Sequence, residues 1–353
     1  PRSSEPGELF FGCGAPGGLG SSPGSWSLEL AGMGQMMSTL VGGGANSGVK
    51  AIALGASAVA AGRVPFAVSG GGDSASNAGF LLRGRVGLSI GPGRVEDLLL
   101  TDCGKDWNMK STAGARAETS AARAGVPRAA MDRFALESYR AALARRASRF
   151  FTPLIAPVHA GNSSIEEDDH PNEDLATELE VEIVKAQPCF VTQTSQGSGA
   201  ITARNSARFS DSAGFVVLAD ESRAKASGPI GLEIVDFVDA ALQSSEAIHA
   251  PTSAVEKLLA RNRVDPERLA FIEIDESFAA SPLILMKKLR IPREKVNAAG
   301  GSLVFGDGLG GSGPRMLIHL CELLKEDKGD LGVVVGYSSG SQSTALLVRK
   351  VKF

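Results

Sequence analysis

The chain has 353 residues, 43% apolar and 21% charged, enough for one large globular domain or two of medium size. A net charge of −3 and only 5% aromatic residues give neither a basic field nor stacking platforms for nucleic acid, and no apolar run reaches membrane-spanning length. Cys13, Cys103, Cys189 and Cys321 show no C-x-x-C spacing and the four histidines are scattered, so buried reduced thiols and no metal are expected.

The chain opens at Pro1 rather than methionine, so a segment is expected to precede it. "LFFG" (9–12) reads as a short buried strand entering a glycine-rich turn region, followed by a helix over 27–39. In "VGGGANSGVKAIALGASAV" a loose glycine loop runs into a small-residue helix from Ala45 to about Gly62. The P-loop pattern fails there, because Val49 stands between Gly48 and Lys50. "VPFAVS" (64–69) predicts a strand that ends in a loop at "GGGDS". This alternation of strand, loop and helix points to an α/β layered fold.

From about Leu81 to Arg204 the character is polar and irregular around one clear helix that begins at Pro127, with Met131, Phe134, Ala135 and Tyr139 at helical spacing. "SSIEEDDHPNED" (163–174) reads as a solvated loop, and "NSS" at Asn162 fits a glycosylation sequon with nothing else to indicate secretion. From Gly231 the α/β pattern resumes. A strand "GLEIVDFVDAAL", a helix "PTSAVEKLLARN", a strand leading into "DESFAA" and a helix "SPLILMKKL" follow in order. A strand-loop-helix unit then runs from Val296 to Glu326, and a hairpin closes the chain.

Read in order, "GGGANSGVKAIALG", "AVSGGGDSAS", "MKSTAGARAE", "EDDHPNEDLATELE", "DESFAA", "GGSLVFGDGLGGSGPR" and "GYSSGSQSTALLV" resemble the punctuated segments of the thiolase family, the acyl-CoA C-acyltransferases. The resemblance implies a five-layer αβαβα sandwich of two similar βαβαβαββ halves with an inserted loop domain. The first half would be residues 1–80 plus about 205–225, the insertion 81–204 and the second half 226–353. The family's first strand and helix have no counterpart here.

The resemblance also implies site positions. The family's Cys-x-Ser-Gly nucleophile motif falls on Ala45, Asn46, Ser47 and Gly48; alanine has no atom that can carry an acyl group. Asp275 stands at the position of an oxyanion-hole asparagine, Asp307 at that of a histidine, and Tyr337 at that of the second cysteine. A carboxylate opposes a developing oxyanion, and tyrosine is a poor acid–base shuttle near neutral pH. In the pantetheine-contacting segment Arg204, Ala207 and Arg208 replace two glycines and a serine. Blockage of the CoA tunnel is favoured over a new grip on phosphate. Backbone N–H groups near Ala45 and Ser339 are what remains of the oxyanion geometry.

The expectation is therefore a catalytically inactive thiolase-like structural subunit. It would bind no cofactor, pair as a homo- or heterodimer through the family's interface, and sit in a larger assembly, in the mitochondrial matrix before the cytoplasm or peroxisome. A CoA or acyl-CoA binding regulator is the alternative. Behind it stands an enzyme of altered chemistry that uses Asp275 or Asp307 as a base on a bound thioester.

Overall fold

The computed structural model describes residues 7–85, 87, 93–105, 110–161, 163–171, 181–183, 185–190, 199–226, 228 and 230–353. Two four-stranded sheets organise it. The first is built from β1 (Glu8–Gly12), β2 (Met37–Val41), β3 (Phe66–Asp73) and, much later in the chain, β8 (Ser212–Ala219). Its order is β2-β1-β3-β8, parallel except for β8. Between β3 and β8 come two short hairpins, β4 (Phe80–Leu82) with β5 (Val95–Asp97) and β6 (Val158–Ala160) with β7 (Ser163–Ile165). The second sheet has the order β10-β11-β12-β9, from β9 (Ile230–Ala241), β10 (Phe271–Ile274), β11 (Leu331–Tyr337) and β12 (Gln342–Lys352).

The helices are α1 (Pro23–Leu30), α2 (Asn46–Ala60), α3 (Ala113–Arg123), α4 (Arg128–Ala147), α5 (Glu221–Lys225), α6 (Ala250–Asn262), α7 (Ala280–Leu289), α8 (Ser302–Phe305) and α9 (Ser312–Glu326). Helices α2 and α9 form the middle layer. Val49, Ile52 and Ala53 of α2 and Met316, Leu317, Leu320 and Leu324 of α9 share one buried cluster with Val334, Leu346 and Val348 of the second sheet, and Val216 and Leu218 of the first pack against it. On the outer faces, α1 covers the first sheet through Leu28, while α6 and α7 cover the second through Val255, Leu258, Leu259, Ile284 and Leu285. The result is the αβαβα sandwich expected from the resemblance.

Small residues let the middle layer be this thin. A Cβ on Gly48 would lie 2.1 Å from the Gly310 carbonyl oxygen, and one on Gly313 would lie 2.3 Å from the Val49 nitrogen, so α2 and α9 meet backbone to backbone. Gly55 likewise leaves room for Ser69 of β3.

Several sequence expectations are corrected. The helix predicted over 27–39 ends at Leu30, because Gly32 takes φ +69° and breaks the run, and Met37–Thr39 enter β2. The strand predicted to stop at Ser69 continues to Asp73: Gly70 and Gly71 press against the Gly214 and Gly12 carbonyls, where any side chain would collide. Val296 makes one bridge to Ile272 rather than a strand. Of the thiols, Cys13 and Cys103 are buried, Cys321 is half-buried and Cys189 is exposed in the irregular stretch before Phe190. Residues 166–169 of the acidic stretch are exposed as expected. Its end, 172–174, and the sequon at Asn162 lie outside the described residues. Among the described residues no metal-binding cluster is present and no helix is long and apolar enough to cross a membrane.

Candidate active site

The glycine loop before α2 turns through Gly43 and Gly44, at φ +133° and +57°, conformations open to glycine at little cost. Ala45 is the N-cap, 5% exposed, at the positive end of the α2 dipole. Asn46 ties this elbow to the second sheet: its Oδ1 accepts the Thr344 N–H at 3.0 Å and its Nδ2 donates to Thr344 Oγ1 at 3.2 Å. Gly336, whose Cβ would meet the Ala45 carbonyl and Val49, brings the end of β11 against the elbow, and Ser338 approaches Gly44. The N–H groups of Ala45 and Ser339 make no hydrogen bond among the described residues.

Asp275 follows β10 directly, its N–H donating to the Val335 carbonyl at 3.0 Å. Asp307 is fixed by its own backbone, which donates to the Arg208 carbonyl at 2.7 Å, while its Oδ1 accepts the Leu309 N–H at 2.9 Å. Ser277 joins the two: its Oγ lies 2.7 Å from Asp275 Oδ2 and 3.2 Å from Asp307 Oδ2. A hydroxyl has one proton to donate, so it can satisfy both carboxyls only if one of them is protonated and donates back. Burial accordingly raises the pKa of both. Asp275, whose next largest influence is the charge of Asp307, is pushed up to about 7. Ser302 donates to Asp275 Oδ1 at 3.1 Å and accepts from Arg315 Nη2 at 2.9 Å, which places one cation behind the pair.

Tyr337 is the last residue of β11. It is 4% exposed, its hydroxyl meets the distance and angle of no hydrogen bond among the described residues, and burial followed by the Asp275 charge raises its pKa well above the usual phenol value. It stays neutral at any ordinary pH. Asp275 and Asp307 are joined through Ser277, Tyr337 is close enough to both to feel their charges, and the Ala45 elbow meets the same strand end through Gly336.

Two thiols lie nearby, and neither is poised as a nucleophile. Cys103 donates to the Gly14 carbonyl at 3.4 Å, and Gly14 packs against Gly44 and Leu309. Burial and then the charges of Asp307 and Asp73 raise its pKa strongly. Cys13 donates to Asp73 Oδ1 at 3.1 Å and is pushed up to about 12, chiefly by burial. Asp73 also accepts the N–H groups of Gly14 at 2.9 Å, Ala15 at 2.8 Å and Gly310 at 2.8 Å, so it pins the turn after Asp307 to the first half.

The segment from Arg204 to Arg208 lies directly against this site. The Ala207 N–H donates to the Ser277 carbonyl at 3.0 Å, and the Arg208 carbonyl receives Asp307. The Arg204 guanidinium is engaged by Glu182, and both arginine side chains are exposed rather than turned inward. Ser277, Ser302 and Arg315 escaped the sequence reading because serine and arginine near a helix start have many commoner uses.

A thiolase N-terminal domain model matches residues 4–222 and a thiolase C-terminal domain model matches residues 229–350. The chain belongs to the thiolase family. An acetyl-CoA acetyltransferase of Yarrowia lipolytica is 33% identical over 87% of this chain and 75% of its own length. A cytosolic acetyl-CoA acetyltransferase of Gibberella zeae is 31% identical over 98% of this chain and 87% of its own. Among solved structures, the Acat5 thiolase of Ascaris suum in complex with coenzyme A superposes with a TM-score of 0.87 at 28% identity, covering 99% of this chain and 89% of that one. These relatives, named as enzymes and matched along most of their length, overturn the expectation of an inactive structural subunit and with it the reading of the chain as a non-enzyme.

Proposed function

We propose that this chain is an acyl-CoA enzyme that moves a proton at the α-carbon of a bound short thioester, as the acetyl-CoA acetyltransferases named above suggest. The Asp275–Asp307 pair is its acid–base group. The observation that carries the reading is the Ser277 hydroxyl between two buried carboxyls, an arrangement that favours a proton held by the pair, with Asp275 pushed up to about 7 by burial and by Asp307. The N–H groups of Ala45, at the N-cap of α2, and of Ser339, in the turn after β11, make no hydrogen bond among the described residues and support it as donors for the thioester oxygen.

In this scheme the ionised carboxylate takes an α-proton, and the electron pair moves onto the thioester oxygen held by the two N–H groups. The enolate then attacks the carbonyl of a second thioester, its C–S bond breaks, and the departing CoA thiolate takes the proton back from the carboxyl, which restores the base. Transfer is direct, because Ala45 has no atom on which to park the acyl group. Ala45, Asp275, Asp307 and Tyr337 are then replacements at the family's catalytic positions that change the mechanism. The test is proton exchange: the methyl signal of acetyl-CoA in deuterium oxide fades in the presence of the chain and not with Asp275→Asn or Asp307→Asn. A methyl signal that persists with the unaltered chain overturns the reading.

We also propose that two copies pair along the first sheet, where Met37 and Leu40 on the edge strand β2 and Trp26 and Leu30 on α1 are exposed. A monomer mass by light scattering at micromolar concentration counts against it.

A further inference from the structure

Helix α9 carries a cation where its own electrostatics disfavour one. Arg315 is the fourth residue of α9, at the positive end of the helix dipole, and no acidic residue accompanies it in that first turn. Its guanidinium lies against the Phe305 ring at 5.3 Å, and Nη1 is buried without a hydrogen-bond partner. Among the described residues Arg315 forms no ion pair, and its Nη2 donates to the Ser302 hydroxyl at 2.9 Å. A partly buried cation with no carboxylate in contact is costly to keep, so helix stability does not account for it.

The position serves the carboxyl pair. A guanidinium has no acceptor, so Arg315 fixes the direction of the next bond: Ser302 accepts from Nη2 and gives its own proton to Asp275 Oδ1 at 3.1 Å. Asp275 Oδ2 and Asp307 Oδ2 meet at Ser277, and Asp307 Oδ1 accepts the Leu309 N–H. Arg315 is thereby one hydroxyl removed from the pair. Direct contact would hold a carboxylate ionised and make it a poor base; without the cation, burial would leave the pair more fully protonated near neutral pH. The hydroxyl between them sets an intermediate strength. The other charges around Arg315 come from Asp168 in the acidic stretch, Glu273 on β10 and His319 one turn along α9, and Glu273 also feels Glu276 and Arg293. Asp73, Cys103 and Tyr337 lie around the pair itself. Arg315 is the cation that draws both Asp275 and Asp307 back toward ionisation.

We propose that Arg315, acting through the Ser302 hydroxyl, is the positioning residue that keeps one carboxylate of the Asp275–Asp307 pair available as the base, and so fixes the acid limit of the pH range in which the site works. The inference rests on the reading of that pair as the acid–base group. Ser302 holds the Asp275 carboxyl in place and Arg315 supplies the field; both act through Asp275 rather than on substrate.

Carbon-13 NMR of the chain labelled at its aspartate carboxyl carbons follows the pair without any turnover. Asp275→Asn and Asp307→Asn assign its signals, and Asp168→Asn identifies the neighbour that shares Arg315. Arg315→Met should move both titration steps of the pair up by about one unit or more, because loss of an opposite charge favours the neutral form. Arg315→Lys should recover most of that shift, and Ser302→Ala should move the steps up with Arg315 in place. In deuterium oxide the acid limb of acetyl-CoA exchange should follow, the rate below it falling about ten-fold per unit. An unchanged titration in folded Arg315→Met, no recovery in Arg315→Lys, or Ser302→Ala without effect overturns the proposal. Should circular dichroism show Arg315→Met unfolded, Ser302→Ala decides it alone. The expected shifts in a chain that exchanges no proton would overturn the reading of the pair and leave the hold of Arg315 on its protonation intact.

Discussion

Replacing Asp275 by asparagine removes a charge that the fold holds against solvation. The carboxyl is fully buried, and its pKa rises from 3.8 to about 7, first through burial and then through Asp307; hydrogen bonds from Ser277 and Ser302 and the Arg315 charge pull part of the way back. In the unfolded chain the same group titrates near about 3.9. Between about pH 4 and pH 7 the unfolded state therefore binds fewer protons than the folded one. The contribution of this group is fully present below that window and is lost as pH rises through it. A shift of roughly three units at about 1.36 kcal/mol each sets an upper limit of about 4 kcal/mol, part of which belongs to Asp307 because the pair titrates together. With an unfolding entropy of about 2.1 cal/mol/K per residue, a chain of this length converts that into at most about 5 °C. Melting temperatures of the unaltered chain, Asp275→Asn and Asp307→Asn, read from about pH 4 to pH 8, check it. The curves should meet at the acid end, and the asparagine variants should melt higher at the alkaline end. A difference that does not change with pH, or variants that melt lower at pH 8, would refute the shared-proton account.

Other outcomes follow from single contacts. Gly48→Ala should cost about 1–3 kcal/mol or more because the new Cβ meets the Gly310 backbone, whereas Gly42→Ala, with open space around it, should be close to neutral; urea midpoints compare them. Asn46→Ala leaves the buried Thr344 N–H without its acceptor and should destabilise by about 1–3 kcal/mol in the same assay. Asp73→Ala removes the acceptor of three backbone N–H groups and a thiol. It should loosen the turn at Gly310, seen as faster amide exchange there than at the core strand β11. Iodoacetamide on the folded chain should label Cys189 well before Cys13 or Cys103, as peptide mass mapping would show; early loss of the Cys103 thiol would contradict its burial.

The site was legible in part. Ala45, Asp275, Asp307 and Tyr337 stood out because the glycines and small residues around them punctuate the chain in a family order, and local backbone geometry dictates those residues. Their consequence was misjudged. Read singly, an aspartate near an oxyanion only repels it, so the chain looked inert; its enzyme relatives overturn that reading, and in the folded protein the two aspartates lie within hydrogen-bond reach of one serine hydroxyl. Nothing in the spacing of residues 275 and 307 encodes that distance.

By itself the sequence determined the layered α/β class, the small-residue character of α2 and the absence of a thiol at its cap, because periodicity, glycine placement and side-chain identity are local properties. Only the tertiary structure decided that α2 and α9 touch through bare backbone and that Asp73 holds the turn after Asp307. Each of these depends on which groups burial brings within 3 Å or so of one another. Long-range packing sets that distance, and with it the proton affinity of every carboxyl in the site.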